Sequence, residues 1–304
     1  MTEPLTRFRR PPPGFTPALW REFQERGIVT IEDAYGEPEI AAWLAAIGRL
    51  RRADGQPDKG FFTLRNYVEM DPSFANVIDH SSHLGFVYDL YGEMLKLQLS
   101  ELFVRAPGDA RPERCHIDGP RVLPYAAFAA EAPLQVRVGI WLSDVTDPDM
   151  GNLVYAPGSH RRQYFDAYNT DEAVAGEEQL IVRRGAMTLM NCALWHRTAS
   201  NNGGRERLNL YVGYCPSWIP TGDRTTSNPA WLATLNREQR IIMRSYDNAY
   251  SHAKPPVEDY PLFLDRETGA DREPGRYRDH IYLPHRKRMT EWEKFAARGG
   301  QLPD

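Results

Sequence analysis

The sequence has few cysteines, no long apolar run and no large excess of either charge. Three cysteines in 304 residues are too few for a disulfide framework, which favours a reducing compartment. No stretch approaches the roughly 18 consecutive apolar residues of a transmembrane helix. The first residues, MTEPLTRFRRPPPGF, lack the apolar segment of a secretory signal. From these absences we expect a soluble, cytoplasmic protein.

The charge balance excludes some classes of partner. The 37 Lys and Arg residues nearly match the 41 Asp and Glu residues, for a formal net charge of −4. Such a chain has no bulk positive field for nucleic acid or an anionic membrane. Hydrophobic residues make up 41% and charged residues 26%, which is ordinary for a globular protein. Composition therefore gives no indication of a nucleic-acid or membrane partner, and it leaves the oligomeric state open.

Residues 1–96 are predicted to form an arm and a helical layer. A proline-rich arm covers residues 1–14. Thr16 is a suitable N-cap, Pro17 fits the first helical position, and Gly27 can end the first helix. Apolar residues at helical spacing predict a second helix from Glu37. One or two further helices are expected between Asp71 and Leu95.

Residues 97–217 have the pattern of a β core. Short runs rich in Val, Ile, Leu and aromatic residues alternate with Gly, Pro, Asp and Asn, which is typical of an antiparallel sandwich or barrel. The predicted strands cover residues 102–105, 134–142, 153–156, 179–182, 187–190 and 208–215. Residues 218–304 are predicted to be a helical or irregular appendage. We expect all three parts to form a single structural domain.

One His-x-Asp sequence, at His116 and Asp118, is a candidate metal motif. In an extended segment, the period of two places both side chains on one face. His196 follows a predicted strand far along the chain, and a rolled sheet would bring it near. Two histidines and one carboxylate form the facial triad that binds non-haem Fe(II) and leaves coordination positions open.

Arg207 is the candidate that points to a carboxylate ligand. It lies eleven residues after His196, at the start of a predicted strand, where its guanidinium can bind a carboxylate through two hydrogen bonds. Arg205 lies close enough to be the alternative. Thr198 shares a face with His196. Its hydroxyl would either donate a hydrogen bond to the carboxylate ligand or belong to an ordinary strand residue.

These motifs resemble the phytanoyl-CoA dioxygenase family of Fe(II)- and 2-oxoglutarate-dependent oxygenases. The resemblance covers roughly residues 15–220 and rests on four features in order. They are His116-x-Asp118, the segment Gly151-Asn-Leu-Val-Tyr-Ala-Pro-Gly-Ser-His160, the segment from Gly185 to His196, and Arg207.

The resemblance implies a mainly β fold with flanking helices around a double-stranded β-helix, the jelly roll or cupin-like core. It implies that His116, Asp118 and His196 bind iron. Arg207, assisted by Thr198, would bind the distal carboxylate of 2-oxoglutarate. The implied reaction uses O₂ and hydroxylates a small-molecule metabolite, with release of succinate and CO₂.

Other outcomes remain open at this stage. Desaturation, epoxidation or rearrangement would use the same iron site, and a non-catalytic cupin-type binding protein is the alternative from another class. Related halogenases lack the carboxylate ligand, so Asp118 argues against halogenation. The strand around Gln135, Arg137 and Trp141 has a polar face that would either contact substrate or face solvent. We expect substrate selection by the N-terminal helices, the loops 119–132 and 162–178, and the C-terminal appendage.

Overall fold

The computed structural model describes residues 11–55, 60–109, 113–118, 133–162, 170, 172–246 and 262–263. In these ranges the strands are β1 (Ile28–Ile31), β2 (Phe61–Arg65), β3 (Leu95–Arg105), β4 (Val136–Trp141), β5 (Leu153–Tyr155), β6 (Glu178–Gln179), β7 (Met187–Asn191), β8 (His196–Thr198) and β9 (Arg207–Pro216). The α-helices are α1 (Pro17–Arg26), α2 (Glu37–Ala53), α3 (Ser81–Tyr91), α4 (Pro229–Leu232) and α5 (Arg237–Met243). Short 3₁₀ helices lie at Tyr67–Glu69, Pro72–Val77, Gly92–Met94 and Ser159–Arg161.

Two antiparallel sheets form the β core. Across the described ranges, the strand order is β1-β7-β4-β9-β3-β2 in the larger sheet and β6-β5-β8 in the smaller one. From β4 onward the chain passes repeatedly between the sheets, so strands distant in sequence become neighbours. This antiparallel core with flanking helices is a jelly roll, which confirms the predicted fold class.

Helix α1 forms where the local sequence signals predict it. The hydroxyl of Thr16 accepts a hydrogen bond from the Leu19 N–H at 3.2 Å, and Pro17 occupies the first turn. Gly27 adopts φ 82°, and its N–H donates to the Phe23 carbonyl at 2.9 Å. A left-handed residue at this position ends a helix, and glycine adopts it without steric cost.

Strand β4 is buried on both faces. Val136, Val138 and Ile140 have no exposed surface and belong to a hydrophobic cluster that includes side chains of α1, α2 and α3. The alternate residues Arg137 and Trp141 point the other way, and both side chains are largely buried. The polar face of this strand therefore lies in the interior of the jelly roll and does not face solvent.

Besides its helices, the first third of the chain contributes two strands that the sequence did not predict. Strand β1 pairs with β7, and β2 pairs with β3, so each forms an edge of the larger sheet. Both strands are short, and their hydrogen-bond partners lie on distant segments, so local pattern does not reveal them. The division of the chain near residues 96 and 217 remains a prediction.

Two predicted strands differ from the observed strands by more than two residues at one end. The strand predicted at 102–105 begins already at Leu95. The strand predicted at 179–182 is limited to Glu178–Gln179, because Val182 instead forms an isolated bridge with Val145.

Several predicted regions lie outside the described residues. They are residues 1–10, the loop 119–132, residues 163–169 and 171 of the loop 162–178, and most of the appendage 218–304. Within the part of the chain that the structure covers, no helix has the length and apolar character needed to cross a membrane.

Candidate metal centre

The three predicted metal ligands converge where the segment 113–118 runs beside β8. His116 and His196 form an antiparallel bridge in which each backbone N–H donates to the other carbonyl at 2.9 Å. The Asp118 N–H donates to the Cys192 carbonyl, also at 2.9 Å. One ligand atom from each of His116, Asp118 and His196 lies within 4.8 Å of the other two. The fold thus brings the His-x-Asp motif to a histidine on another strand.

Backbone carbonyls orient both imidazole rings. Nδ1 of His116 lies 2.7 Å from the Arg114 carbonyl oxygen, and Nδ1 of His196 lies 2.8 Å from that of Leu194. A carbonyl oxygen only accepts hydrogen bonds, so each Nδ1 carries the proton and each Nε2 presents its lone pair. The two Nε2 atoms lie 3.9 and 3.7 Å from the carboxylate oxygens of Asp118. Two nitrogens and one carboxylate therefore match the donor set of a facial triad.

Burial favours the neutral form of His196. Desolvation lowers the pKa of its imidazole, against the attraction of the Asp118 carboxylate, and the nearby His116 lowers it further. The neutral imidazole is the form that binds a metal ion. The surroundings of His196 therefore prepare it as a ligand.

A buried arginine holds the Asp118 carboxylate. Arg137 Nη2 lies 3.2 Å from Asp118 Oδ2, and its Nη1 lies 3.1 Å from Glu101 Oε2. Burial alone would lower the pKa of Arg137, but the two carboxylates outweigh it and raise that pKa above its usual value. The guanidinium also lies over the ring of Tyr211, 5.4 Å from its centroid, a cation–π geometry. Arg137 is thus a fixed positive charge beside the candidate metal centre.

Arg207, and not Arg205, points into the jelly roll. Arg207 is 3% exposed, whereas Arg205 is an exposed residue. The guanidinium of Arg207 lies 5.4 Å from the centroid of the Trp141 ring and donates to Asn209 Oδ1. Burial lowers the pKa of Arg207, and Tyr211 acts in the opposite direction. Of the two arginines, Arg207 is therefore the one whose side chain lines the interior cavity.

A second arginine and an acid lie beside Arg207. Arg105 pairs directly with Arg207 across β3 and β9 and is equally buried. The Thr198 hydroxyl donates to Glu113 Oε2 at 3.0 Å, and Arg105 Nη2 lies 3.3 Å from Glu113 Oε1. Thr198 therefore faces the interior, and its hydroxyl already binds a carboxylate.

A cavity joins the histidines to the arginine end of the jelly roll. Its lining includes His116, His196, Thr198, Arg137 and Arg207. A ligand bound in this space would therefore contact both the histidines and the buried arginine.

Gln135 and Trp141 were also predicted from the sequence as substrate contacts. The Gln135 amide donates to Gln98 Oε1 at 2.9 Å, and the Trp141 indole donates to Thr188 Oγ1 at 3.2 Å. Neither side chain is among the described residues that line the cavity, whereas Arg137 is.

Sequence reasoning missed Glu101, Arg105, Glu113 and Tyr211. Tyr211 could have been found, because it lies an even number of residues from Arg207 on one strand and therefore shares its face. The same alternation relates Glu101 to Arg105 on β3. Glu113 has no such signal, because it lies outside the strands and its position depends on the pairing of its segment with β8.

Comparison with known protein families decides the classification. Residues 23–209, more than half of the chain, match the model of phytanoyl-CoA dioxygenase (PhyH). The chain belongs to this family. The PhyH match includes the three candidate ligands and Arg207. The protein is accordingly an oxidoreductase, a non-haem oxygenase that uses Fe(II), 2-oxoglutarate and O₂. No curated protein sequence matches the chain.

Solved structures share the PhyH fold at low sequence identity. HygX from Streptomyces hygroscopicus, with nickel and 2-oxoglutarate bound, is 20% identical with a TM-score of 0.60, covering 68% of this chain and 90% of that one. SnoK, a carbocyclase from nogalamycin biosynthesis, is 22% identical with a TM-score of 0.55, covering 67% and 85%. EctD from S. alaskensis, with 2-oxoglutarate and 5-hydroxyectoine, is 18% identical with a TM-score of 0.56, covering 69% and 83%.

Proposed function

We propose that this oxygenase hydroxylates a small-molecule metabolite, with His116, Asp118 and His196 as iron ligands and Arg207 as the anchor of the 2-oxoglutarate distal carboxylate. One observation carries the proposal. Two imidazole lone pairs and a carboxylate face one point at a cavity that also reaches a buried arginine. When bound, Fe(II) with 2-oxoglutarate and O₂ supplies the oxidising chemistry, with succinate and CO₂ as the co-products.

The donor set supports iron as the resident metal. Mixed imidazole and carboxylate ligands on one side, with the remaining positions open, suit Fe(II). The carbonyls of Arg114 and Leu194 keep the proton on each Nδ1, so no proton has to leave an Nε2 before metal binds. Arg137 holds the Asp118 carboxylate through one oxygen. Its role is to position a ligand.

The arginine end of the cavity supports binding of the distal carboxylate. Arg207 presents a planar donor fork in a site with little water, where a charge-assisted hydrogen bond is strong. The Thr198 hydroxyl, which donates to Glu113 in the structure, is the proposed second donor. Phe103, Leu153 and Met190 contribute hydrophobic side chains to the lining of the same cavity.

Arg137 remains the proposed substrate contact among the three candidates, because it reaches the cavity surface. Gln135 and Trp141 are proposed to act behind it, through Gln98 and Thr188. Hygromycin B is bound in a structure of HygX, and the EctD structure contains 5-hydroxyectoine. Both are polar small molecules, which supports a polar small molecule as the substrate class here.

Rearrangement at the same iron site is the second candidate reaction. The similarity to SnoK, a carbocyclase, and to SnoN, an epimerase from the same biosynthesis, favours it over desaturation or epoxidation.

The three cysteines are free and buried, which supports a reducing compartment, and we propose the cytoplasm.

The test measures succinate formation by the Fe(II)-loaded protein with 2-oxoglutarate and a library of polar metabolites. A substrate is a compound that stimulates succinate formation and gains oxygen, as seen by mass spectrometry. His196→Ala should abolish metal binding and turnover. His80→Asn is the matched control, because Asn can keep the N-cap hydrogen bond that His80 makes to Ser82. If His196→Ala retained full iron occupancy, the ligand assignment would be wrong. A product with a new ring or inverted centre, without added oxygen, would favour rearrangement.

A further inference from the structure

A carboxylate of the chain itself occupies the arginine end of the cavity. Glu113 Oε2 accepts a hydrogen bond from Thr198 Oγ1 at 3.0 Å, and its Oε1 lies 3.3 Å from Arg105 Nη2. The backbone N–H of Glu113 donates to the Thr198 carbonyl at 3.0 Å. The segment before His116 is therefore held so that this side chain lines the cavity.

The groups around this carboxylate are those that a dicarboxylic co-substrate would require. Arg105 and Arg207 are directly opposite each other on β3 and β9, and each is 3% exposed. Two buried guanidinium groups side by side repel each other unless an anion lies near. In the structure, Glu113 counters the lowering of the Arg207 pKa by burial and by Arg105.

We propose that Glu113 competes with the distal carboxylate of 2-oxoglutarate for an anchor formed by Arg105, Thr198 and Arg207. Arg105 thereby becomes a second cation for the co-substrate, and Glu113 sets the affinity of the site. The inference rests on the proposed function. It assigns Glu113 and Arg105 roles that the facial triad and Arg207 do not require.

The Glu113 and Arg105 side chains differ in exposure to solvent. The Glu113 side chain is 40% exposed, whereas that of Arg105 is 4% exposed. Glu113 can turn toward water with little desolvation change, but the arginine cannot leave the interior. Arg105 keeps its other contacts, to Asp109 at 3.7 Å and to the Ala199 carbonyl at 3.4 Å. Two carboxylates at one site repel each other, so co-substrate binding requires Glu113 to move away.

This competition lowers the apparent affinity for 2-oxoglutarate. When the competent state is only partly populated, the apparent dissociation constant rises by the inverse of that population. A half-exposed ion pair and one hydroxyl hydrogen bond correspond to about a three- to tenfold effect.

The test compares two keto acids on the Ni(II)-loaded protein by calorimetry. Glu113→Gln keeps the shape and removes the charge, and Glu113→Ala removes the side chain. Both should bind 2-oxoglutarate about three- to tenfold more tightly than wild type. Both should bind pyruvate unchanged, because pyruvate has no distal carboxylate. Glu177→Gln is the matched control, since Glu177 pairs with Arg197 and should alter neither affinity.

The outcomes separate this inference from the proposed function. Wild-type protein that binds Ni(II) but not 2-oxoglutarate would overturn both. Tight binding by wild type, with equal or weaker binding by both folded Glu113 variants, would overturn only the competition. If the Glu113 variants also bound pyruvate more tightly, to the same extent, the effect would lie at the metal, and this would also overturn the competition. Thermal unfolding of each variant establishes that it is folded. If Glu113→Ala is not folded, the result for Glu113→Gln alone decides between these outcomes.

Discussion

At the scale of single residues, the site is a set of buried charges that need their partners. Arg137 lies between the carboxylates of Asp118 and Glu101. Arg207 is buried against the ring of Trp141. Removing one member of such a group leaves an uncompensated buried charge, which costs more than the pair contributes.

Replacing Arg207 should weaken co-substrate binding more than metal binding. Arg207→Ala would remove one of the two cations proposed for the distal carboxylate, at a cost of up to about 3–5 kcal/mol, which is roughly two to four orders of magnitude in affinity. Arg207→Lys should retain part of the affinity, because it keeps the charge but loses the planar fork. Anaerobic titration of the Fe(II) protein with 2-oxoglutarate, followed by the charge-transfer band, measures the effect. Arg205→Ala is the matched control, and a larger loss in that variant would contradict the assignment.

Replacing Arg137 should weaken metal binding. Arg137→Met leaves Asp118 free to rotate, and the loss of a group that orients a ligand typically lowers metal affinity by about 10–100-fold. Competition between the protein and a chelator for Ni(II) measures it. Arg183→Met, which removes an exposed arginine, should have no effect. Adding Glu101→Gln to Arg137→Met should recover stability by neutralising the second carboxylate, without recovery of metal affinity. Unchanged affinity in Arg137→Met would exclude a positioning role.

At the scale of elements, the turn before β5 shapes the arginine end of the cavity. Gly151 adopts φ 77°, and a Cβ at this position would lie 3.0 Å from Arg207 Cδ and 3.3 Å from Arg105 Cδ. Because Gly151 has no side chain, the side chains of Arg207 and Arg105 can pack against this turn. The far end of the segment Gly151–His160 is structural, since the Trp195 N–H donates to Ser159 Oγ and His160 Nε2 donates to the Gln24 carbonyl.

Gly151→Ala should lower affinity for 2-oxoglutarate several-fold and reduce the free energy of unfolding by about 1–2 kcal/mol. The added methyl group displaces the arginines, and the positive φ strains the backbone. Gly176→Ala separates these effects, because Gly176 has φ 79° with no atom within 4 Å of the added Cβ. Calorimetry and chemical denaturation should show similar destabilisation in both variants but weaker binding only in Gly151→Ala. Equal binding in both would mean that the arginines do not depend on this turn.

At the scale of the whole molecule, helices pack on the outer face of the larger sheet and the site lies on its inner face. On the helical side of the sheet, the buried side chain of His83 connects α3 to β9. His83 of α3 accepts from Tyr35 at Nδ1, 2.9 Å away, and its Nε2 lies 2.9 Å from the Tyr214 hydroxyl of β9. The Tyr214 hydroxyl donates to the Ile78 carbonyl at 3.0 Å, so it accepts from His83. Nε2 also lies 3.1 Å from the Val77 carbonyl, which only accepts, so Nε2 carries the proton. Burial favours the neutral ring, in which Nδ1 accepts from the Tyr35 hydroxyl.

His83 should make the fold sensitive to acid. Burial, with a smaller effect of His80, lowers the pKa of His83 to about 3, against about 6.5 in the unfolded chain. Between these values the unfolded state binds the proton, so stability is full above pH 6.5 and falls as the pH decreases. The expected loss is about 2 kcal/mol between pH 6.5 and 4.5.

Chemical denaturation of wild type and His83→Gln over this pH range measures the difference. Gln keeps a donor and an acceptor but does not titrate, so contributions of all other groups cancel in the comparison. Parallel loss of stability in the two proteins would show that His83 does not carry the effect.

Sequence alone determined the features that depend on near neighbours. Thr16, Pro17 and Gly27 define α1, because capping involves residues within one turn. The His-x-Asp pair shares a face because of the strand period. Tertiary structure alone decided that β1 and β2 complete the larger sheet, that Arg137 holds Asp118, and that Glu113 reaches Arg105. These contacts join segments far apart in sequence, and their register is set by the pairing of whole strands, which no local pattern encodes.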